Sequence, residues 1–366
     1  MEIEEEYFRD RRLVDFNKLS REDSTEIDRL KDELENHGWS FIQLPNENNQ
    51  FIDKIDQIQK NLQLFFNRNS KEKSSYESKN TLGYSHINHK EGIRLLTNEH
   101  GHIKDQSFPD DEFQQTLESV AILCHSFTYI LKRILLKMCT STDNSNEEST
   151  PLSQWNMLDI VNYFNHRANS SAQPEIGLDT TEVNCVPHFD PGLFSLSIFS
   201  SNEGLQLKDR LKDKWIDAPN YREINHRSIA VLWLGEAASK LTHNTFKTGI
   251  HRIIYPQLEH QTRLTIWQEI PTKNQIETIF KQNDQSLVLP ENTTVEMTNQ
   301  PNSLPLKILP GGETMNDFLK RIESERGLAM SKSGVEHIQI KYPIRTTRNN
   351  NPQNKIKSFF SSLFRF

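Results

Sequence analysis

The chain has 366 residues and a formal net charge of -7, from 43 Lys and Arg against 50 Asp and Glu. That balance excludes the basic footprint of a nucleic-acid binder, and the length suffices for one large or two ordinary domains with a core. Apolar residues make up only 34%, below the roughly 45–50% of globular chains on a count that includes Gly, so the deficit is expected in loops and ends.

Residues 1–12 are charged and read as loose. Leu13-Val14-Asp15-Phe16 is a short early strand. Ser24 to Asn36 reads as a helix with Ser24 as cap and Ile27, Leu30 and Leu34 at helical spacing. His37-Gly38 stops it, because Gly accepts the left-handed conformation that ends helices. Trp39 to Leu44 then alternates as a strand. A second helix covers about Gln50 to Phe66, with Phe51, Ile55, Ile58, Leu62, Phe65 and Phe66 on one core-facing stripe.

Residues 67–110 are polar and mixed, and only Gly83-Tyr84 and Lys90-Glu91-Gly92 stand out. A long apolar helix runs from about Asp111 to Met138, and Thr140 to Pro151 is a loop by composition. From Trp155 the period becomes strand-like. Met157 to Phe164 is a strand, and a long polar insertion, His166 to Asn184, follows it. Leu193 to Phe199 alternates, with Phe194, Leu196 and Ile198 opposite Ser195 and Ser197. Gly204 to Leu207, Trp215 to Asp217 and Ile229 to Leu234 are further short strands. Such regular spacing indicates a sandwich or barrel, not a parallel sheet with crossover helices.

After Pro271 the pattern weakens: a helix over Asn274 to Gln282, a loop over Asn292 to Pro310, a surface helix over Met315 to Glu325. Residues 327–366 carry seven Lys/Arg against one acid, Glu336. Thr346 to Asn354 is Asn-rich and reads as disordered, and Lys355 to Phe366 as a frayed basic tail. The expected organisation is an N-terminal helical and mixed region, 1–150, packing on a core of 151–271. An extension with helices, 272–345, and a basic tail, 346–366, follow.

The three cysteines, Cys124, Cys139 and Cys185, form no CxxC pair and no disulfide spacing, as expected of reduced thiols in a cytosolic protein. The acidic start, Met1-Glu2-Ile3-Glu4-Glu5-Glu6, lacks the basic character of a signal or transit peptide. No uninterrupted apolar run approaches the roughly 18 residues of a membrane span. A soluble, cytoplasmic protein is expected; oligomeric state is not legible.

The chemistry concentrates between Pro187 and Gln268. His188-Phe189-Asp190 puts two potential ligands on one side of an extended segment, about 6.7 Å apart at their Cα atoms, and Pro191-Gly192 then turns the chain. Alone, an H-x-D is weak evidence. His251 begins an apolar strand, where a solvated histidine is out of place, though a satisfied core histidine fits as well. Arg263 shares a strand face with Thr265, opposite Leu264 and Ile266. A guanidinium inside a barrel needs an anion, since stripping a buried ion of its partner costs about 3–5 kcal/mol. A carboxylate held by the planar fork with a hydroxyl beside it meets that need. Two imidazoles and one carboxylate with open positions are what a non-haem ferrous oxygenase uses.

The ordered set His188-x-Asp190, Gly204-Leu205-Gln206-Leu207, Trp215, Gly235-Glu236, Leu241 to Ile253 and Arg263-x-Thr265 resembles the iron/2-oxoglutarate-dependent dioxygenases. Within them it is similar to the branch of isopenicillin N synthase and the plant gibberellin, flavonoid and ethylene-forming oxidases. Leu13 to Phe16, His37-Gly38-Trp39, Gly83-Tyr84 and Lys90-Glu91 resemble that branch's N-terminal half, so the likeness runs over about residues 10 to 270.

The resemblance implies a mainly β fold with flanking helices around a double-stranded β-helix, or jelly roll. It implies Fe(II) on His188, Asp190 and His251, and the far carboxylate of 2-oxoglutarate on Arg263 and Thr265. Asn162 and Tyr163 would line the co-substrate or substrate, and no catalytic residue is expected beyond the ligands. Phe164 stands where many relatives carry a second tyrosine, Thr265 replaces the usual serine, and the insertion before His188 is long enough to form part of a substrate mouth. The implied reaction consumes O2 and 2-oxoglutarate, releases succinate and CO2, and hydroxylates, desaturates or cyclises a small organic substrate; ascorbate is a candidate addition. Two other readings stay open. One is an isopenicillin N synthase-type iron oxidase without 2-oxoglutarate, and the other is a jelly-roll binding protein without turnover.

Overall fold

The computed structural model describes residues 13–77, 82–87, 90–104, 108, 110–140, 152–164, 183–255 and 261–277. Two short strands further on, Ala329–Met330 and Glu336–His337, pair antiparallel. The expected loops over 141–151 and 292–310, the helix over 315–325, the insertion over 166–182 and the tail over 346–366 lie outside those residues. The helix expected from Asn274 is helical over 273–277.

Strand β1 (Val14–Asp15) runs parallel to β2 (Trp39–Gln43), with α1 (Ser24–Asn36) between them. The helix is capped by Asp23 rather than Ser24: the Asp23 carboxylate accepts the Glu26 amide at 3.0 Å, satisfying one of the free N–H groups of the first turn. Gly38, at φ 76°, ends it. Helix α2 (Gln50–Phe66) buries its expected stripe of Phe51, Ile55, Ile58, Leu62, Phe65 and Phe66.

Strands β3 (Gly83–Ile87) and β4 (Lys90–Thr97) form an antiparallel hairpin that the sequence pattern hides. Lys90, Glu91 and Arg94 on β4 break the apolar alternation, yet Glu91 and Arg94 are both buried. Helix α3 (Asp111–Thr140) is, among the described residues, the one helix long and apolar enough to cross a membrane by length and composition. It packs as a core helix. Phe113, Leu117, Cys124, Leu131 and Leu135 are buried, Phe65 and Phe113 stack at 4.0 Å, and Thr128 donates to Gln268 at 2.6 Å.

Next come β5 (Asn156–Tyr163), β6 (Val183–His188), β7 (Phe194–Ser200), β8 (Leu205–Asp209), β9 (Lys214–Asp217) and β10 (Ile229–Leu234). A short helix α4 (Glu236–Leu241), β11 (His251–Ile254) and β12 (Arg263–Ile270) complete the core. One eight-stranded sheet has the order β1-β2-β10-β7-β12-β5-β4-β3, and a four-stranded sheet the order β6-β11-β8-β9. Apart from β1 with β2, the pairs in both are antiparallel.

The large sheet is covered on both faces. One face meets the helices through Leu158, Ile160, Leu196, Ile198, Leu232, Leu264 and Ile266. The other presents Trp39, Phe41, Val161, Tyr163, Val231 and Trp233 to Leu205, Leu207 and Ile253 of the small sheet. Burial of both faces explains why every residue of β7 is buried. The core is therefore a jelly-roll sandwich of two sheets and not a closed barrel. The N-terminal region does more than pack on this core, because β1 to β4 are four of the eight strands of its large sheet.

Candidate metal centre

His188 ends β6 and His251 begins β11, and the antiparallel register pairs them directly. Their rings lie 4.1 Å apart between centroids. Asp190 follows β6 by two residues, and its Oδ1 is 3.9 Å from His188 Nε2. One ligand atom from each of His188, Asp190 and His251 lies within 4.8 Å of the others, and all three residues are buried. This is the only group of three or more such side chains with that spacing among the described residues.

Neighbouring groups fix the orientation of each ligand. The Asp190 Oδ2 atom accepts two hydrogen bonds of 2.6 Å, from Ser195 Oγ on β7 and from the indole Nε1 of Trp233 on β10. Oδ1 is left toward the imidazoles. His251 Nδ1 lies 3.1 Å from the Gly249 carbonyl; a carbonyl can only accept, so Nδ1 carries the proton and Nε2 keeps its lone pair. His188 Nδ1 faces the Cys185 thiol at 3.8 Å. The turn after Asp190 is held from below by the start of α4: Glu236 N donates to the Asp190 carbonyl at 2.8 Å and Ala237 N to the Gly192 carbonyl at 3.1 Å. Glu269 closes the other side, accepting the Gly192 amide at 2.9 Å.

The electrostatics favour a cation. Burial, and then the neighbouring His188, lower the His251 pKa to about 4, so the ring is neutral at pH 7 and available as a ligand. Burial would raise the Asp190 carboxyl, but the two imidazoles and the bonds from Ser195 and Trp233 outweigh it and hold it below the ordinary value. Two imidazole nitrogens, that of His251 neutral, and an ionised oxygen make a donor set suited to a divalent metal of the iron type.

Arg263 lies on the inner face of β12, 1% exposed. Its Nε and Nη1 have no hydrogen-bond partner among the described residues. Its guanidinium carbon stands 5.6 Å from the centroid of the Tyr163 ring, and burial drops its pKa to about 10, leaving it charged. Thr265 shares the face, as the period of two requires, but its hydroxyl donates to the Phe199 carbonyl at 2.9 Å. It must turn before it can serve a bound carboxylate. A buried cation with open donors fits a small anionic co-ligand.

Asn162 and Tyr163 separate here. Adjacent residues of a strand point to opposite faces. Tyr163 faces the small sheet, beneath Arg263, while the Asn162 amide reaches Glu91 at 3.3 Å, on the other face. Tyr163 is thus beside the centre and Asn162 is not. Sequence reasoning missed Ser195, Trp233 and Gly249. The Trp233 indole carried a signal, since a buried N–H inside an apolar strand requires an acceptor.

Residues 155–268 match the family model of the 2OG-Fe(II) oxygenase superfamily. No curated protein matches the chain by sequence. Among solved structures, a full-length Neurospora crassa protein in complex with alpha-KG and thymine is 16% identical at a TM-score of 0.54, covering 72% of this chain and 86% of its own. The rice dioxygenase for auxin oxidation is 12% identical at a TM-score of 0.52, covering 72% and 84%. JOX2 in complex with 2OG, Fe and JA is 18% identical at a TM-score of 0.51, covering 72% and 75%. Likeness at these identities establishes the fold, and the family match carries the chemistry. The segment 155–268, with its buried pair of histidines and aspartate, matches the 2OG-Fe(II) oxygenase superfamily, whose members use iron and 2-oxoglutarate, and the triad offers a site for that iron.

Proposed function

We propose that the chain uses Fe(II), 2-oxoglutarate and O2 to oxidise a small organic substrate. In this reading His188 Nε2, Asp190 Oδ1 and His251 Nε2 hold the iron, and the Arg263 guanidinium grips the far carboxylate of 2-oxoglutarate. The observation that carries it is the pairing of a buried ligand triad with a buried guanidinium whose Nε and Nη1 lack partners among the described residues. Iron and co-substrate supply, when bound, an oxidant for unactivated C–H bonds, with succinate and CO2 as by-products.

The protein's part is orientation and exclusion of water. Gly249 keeps the His251 proton on Nδ1, and Ser195 with Trp233 fix the plane of the Asp190 carboxylate. The Tyr163 ring walls the approach to Arg263, and Leu207, Val161 and Ile253 supply the dry surroundings. The similar structures were solved with ligands such as thymine or JA, which supports a small molecule as substrate here. The outcome is hydroxylation, desaturation or ring closure. We assign the iron and co-substrate chemistry to residues 151–271, with the region 1–150 contributing β1 to β4 to the same large sheet.

Succinate and CO2 release tests this reading. Both should depend on Fe(II) and on 2-oxoglutarate, and both should vanish in His251→Ala. Product formation by that variant at the unmodified rate would remove His251 from the site.

A further inference from the structure

Beyond the ligands, the inner face of the large sheet forms three rows across β12, β5 and β4. Arg263, Tyr163 and Lys90 stand in one, Thr265, Val161 and Gly92 in the next, and Trp267, Asp159 and Arg94 in the third. The co-substrate arginine lies on β12. Two strand spacings away, roughly 10 Å, β4 presents two cations, Lys90 and Arg94. Gly92 stands between them, packed so closely against β5 that a Cβ there would come 2.9 Å from the Ile160 carbonyl and 3.0 Å from Val161 Cγ2.

These cations are not matched by acids. Arg94 Nε donates to Asp159 Oδ1 at 2.8 Å, an end-on contact that uses one atom of each group. Arg94 Nη1 and Asp159 Oδ2 are buried with no partner among the described residues. Lys90 is partly buried, its Nζ lies 5.7 Å from the Tyr163 ring centroid, and no carboxylate of the described residues lies within ion-pair distance. The remaining carboxyl on this face, Glu269, is occupied by the Gly192 amide and by Gln275 Nε2 at 3.1 Å. Two basic side chains face the single carboxylate of Asp159, and burial lowers the Lys90 ammonium pKa, a cost that an anion beside it would offset.

We propose that the substrate is a small carboxylic acid, bound as its monoanion with the carboxylate seated between Lys90 Nζ and Arg94 Nη1. This rests on the oxygenase reading above and names the substrate class for it. A monoanion supplies acceptors to both open donors and a counter-charge to the Lys90 ammonium. A neutral substrate leaves the ammonium without a counter-charge, and a cationic one adds repulsion. On this placement the carboxylate enters from β4, and the part of the molecule to be oxidised extends toward His188 and Asp190.

Calorimetric titration of benzoate into the full chain, preloaded with Co(II) and excess 2-oxoglutarate to fill Arg263, tests the seat, with benzamide as the uncharged isostere. Benzoate should bind and benzamide should bind about tenfold more weakly or worse, as expected for hydrogen bonds to charged groups. Arg94→Gln would strand the buried Asp159, so the deciding variant is Lys90→Met, expected to weaken benzoate by a similar factor. Lys90→Arg should restore most of it. Absence of benzoate binding, equal binding of benzamide, or unchanged benzoate affinity in Lys90→Met would overturn the assignment. The same titration on metal-free protein separates the two claims: failure of Co(II) or 2-oxoglutarate to bind counts against the oxygenase reading alone.

Discussion

The indole of Trp233 and the hydroxyl of Ser195 share one oxygen of Asp190, each at 2.6 Å, so two strands of the large sheet hold a candidate ligand attached to the small one. Trp233 therefore belongs to the candidate metal centre although it offers no ligand atom. Trp233→Phe keeps the ring and removes the donor. We expect it to fold and to lose about 10–100-fold in Co(II) or Fe(II) affinity, the range for groups that orient a ligand. Competitive titration with a metal-sensitive dye measures this, and unaltered affinity would make Trp233 a packing residue only.

Arg263→Lys should weaken 2-oxoglutarate by tenfold or more, because a point ammonium cannot reproduce two parallel N–H···O bonds. Metal affinity should be nearly unaffected, since Arg263 touches no ligand atom. If 2-oxoglutarate affinity stays constant, the arginine serves a substrate carboxylate instead, as in an isopenicillin N synthase-type oxidase.

Gly235 lies where a side chain cannot fit: a Cβ there would overlap the Gly192 carbonyl and come 2.8 Å from the Asp190 carbonyl. Its backbone, at φ -92°, is ordinary, so the obstacle is close approach rather than conformation. Gly235→Ala should cost about 1–3 kcal/mol of stability, the usual penalty of overpacking, and should loosen metal binding by displacing the turn after Asp190. Thermal unfolding with and without Co(II) reads both effects.

The metal-free protein should lose stability in acid through His251. Its folded pKa, about 4, is depressed below the unfolded value of about 6.5. Between those values the unfolded chain binds the extra proton, so the contribution is complete above about pH 6.5 and disappears as pH falls toward 4. The lowered Asp190 carboxyl acts in the same direction. Chemical unfolding across pH 7 to 4 should show the fall in the native chain and a flatter curve in His251→Ala.

Part of this is legible in the residues and part only through the family resemblance. The alternation in Arg263-Leu264-Thr265-Ile266 put the guanidinium and the Thr265 hydroxyl on one face, and His188, Asp190 and His251 meet as the family resemblance, not their spacing, implied. The hairpin of β3 and β4 was not legible, because Lys90 and Arg94 are charged groups pointing inward, where the pattern of a strand asks for apolar ones. The family resemblance sets Asn162 at the site beside Tyr163, but a strand turns neighbouring residues to opposite faces and the Asn162 amide meets Glu91 instead. The bonds from Ser195 and Trp233 to Asp190 join residues far apart in the pairing order, which periodicity within a segment does not reveal.

The central claim is that His188, Asp190, His251 and Arg263 together bind iron and 2-oxoglutarate. Anaerobic addition of Fe(II) and then 2-oxoglutarate, followed by visible absorption, tests it most directly. A weak charge-transfer band should develop with one equivalent of each in the native chain and be absent from His251→Ala. No band in the native chain, or the same band in the variant, would contradict the assignment.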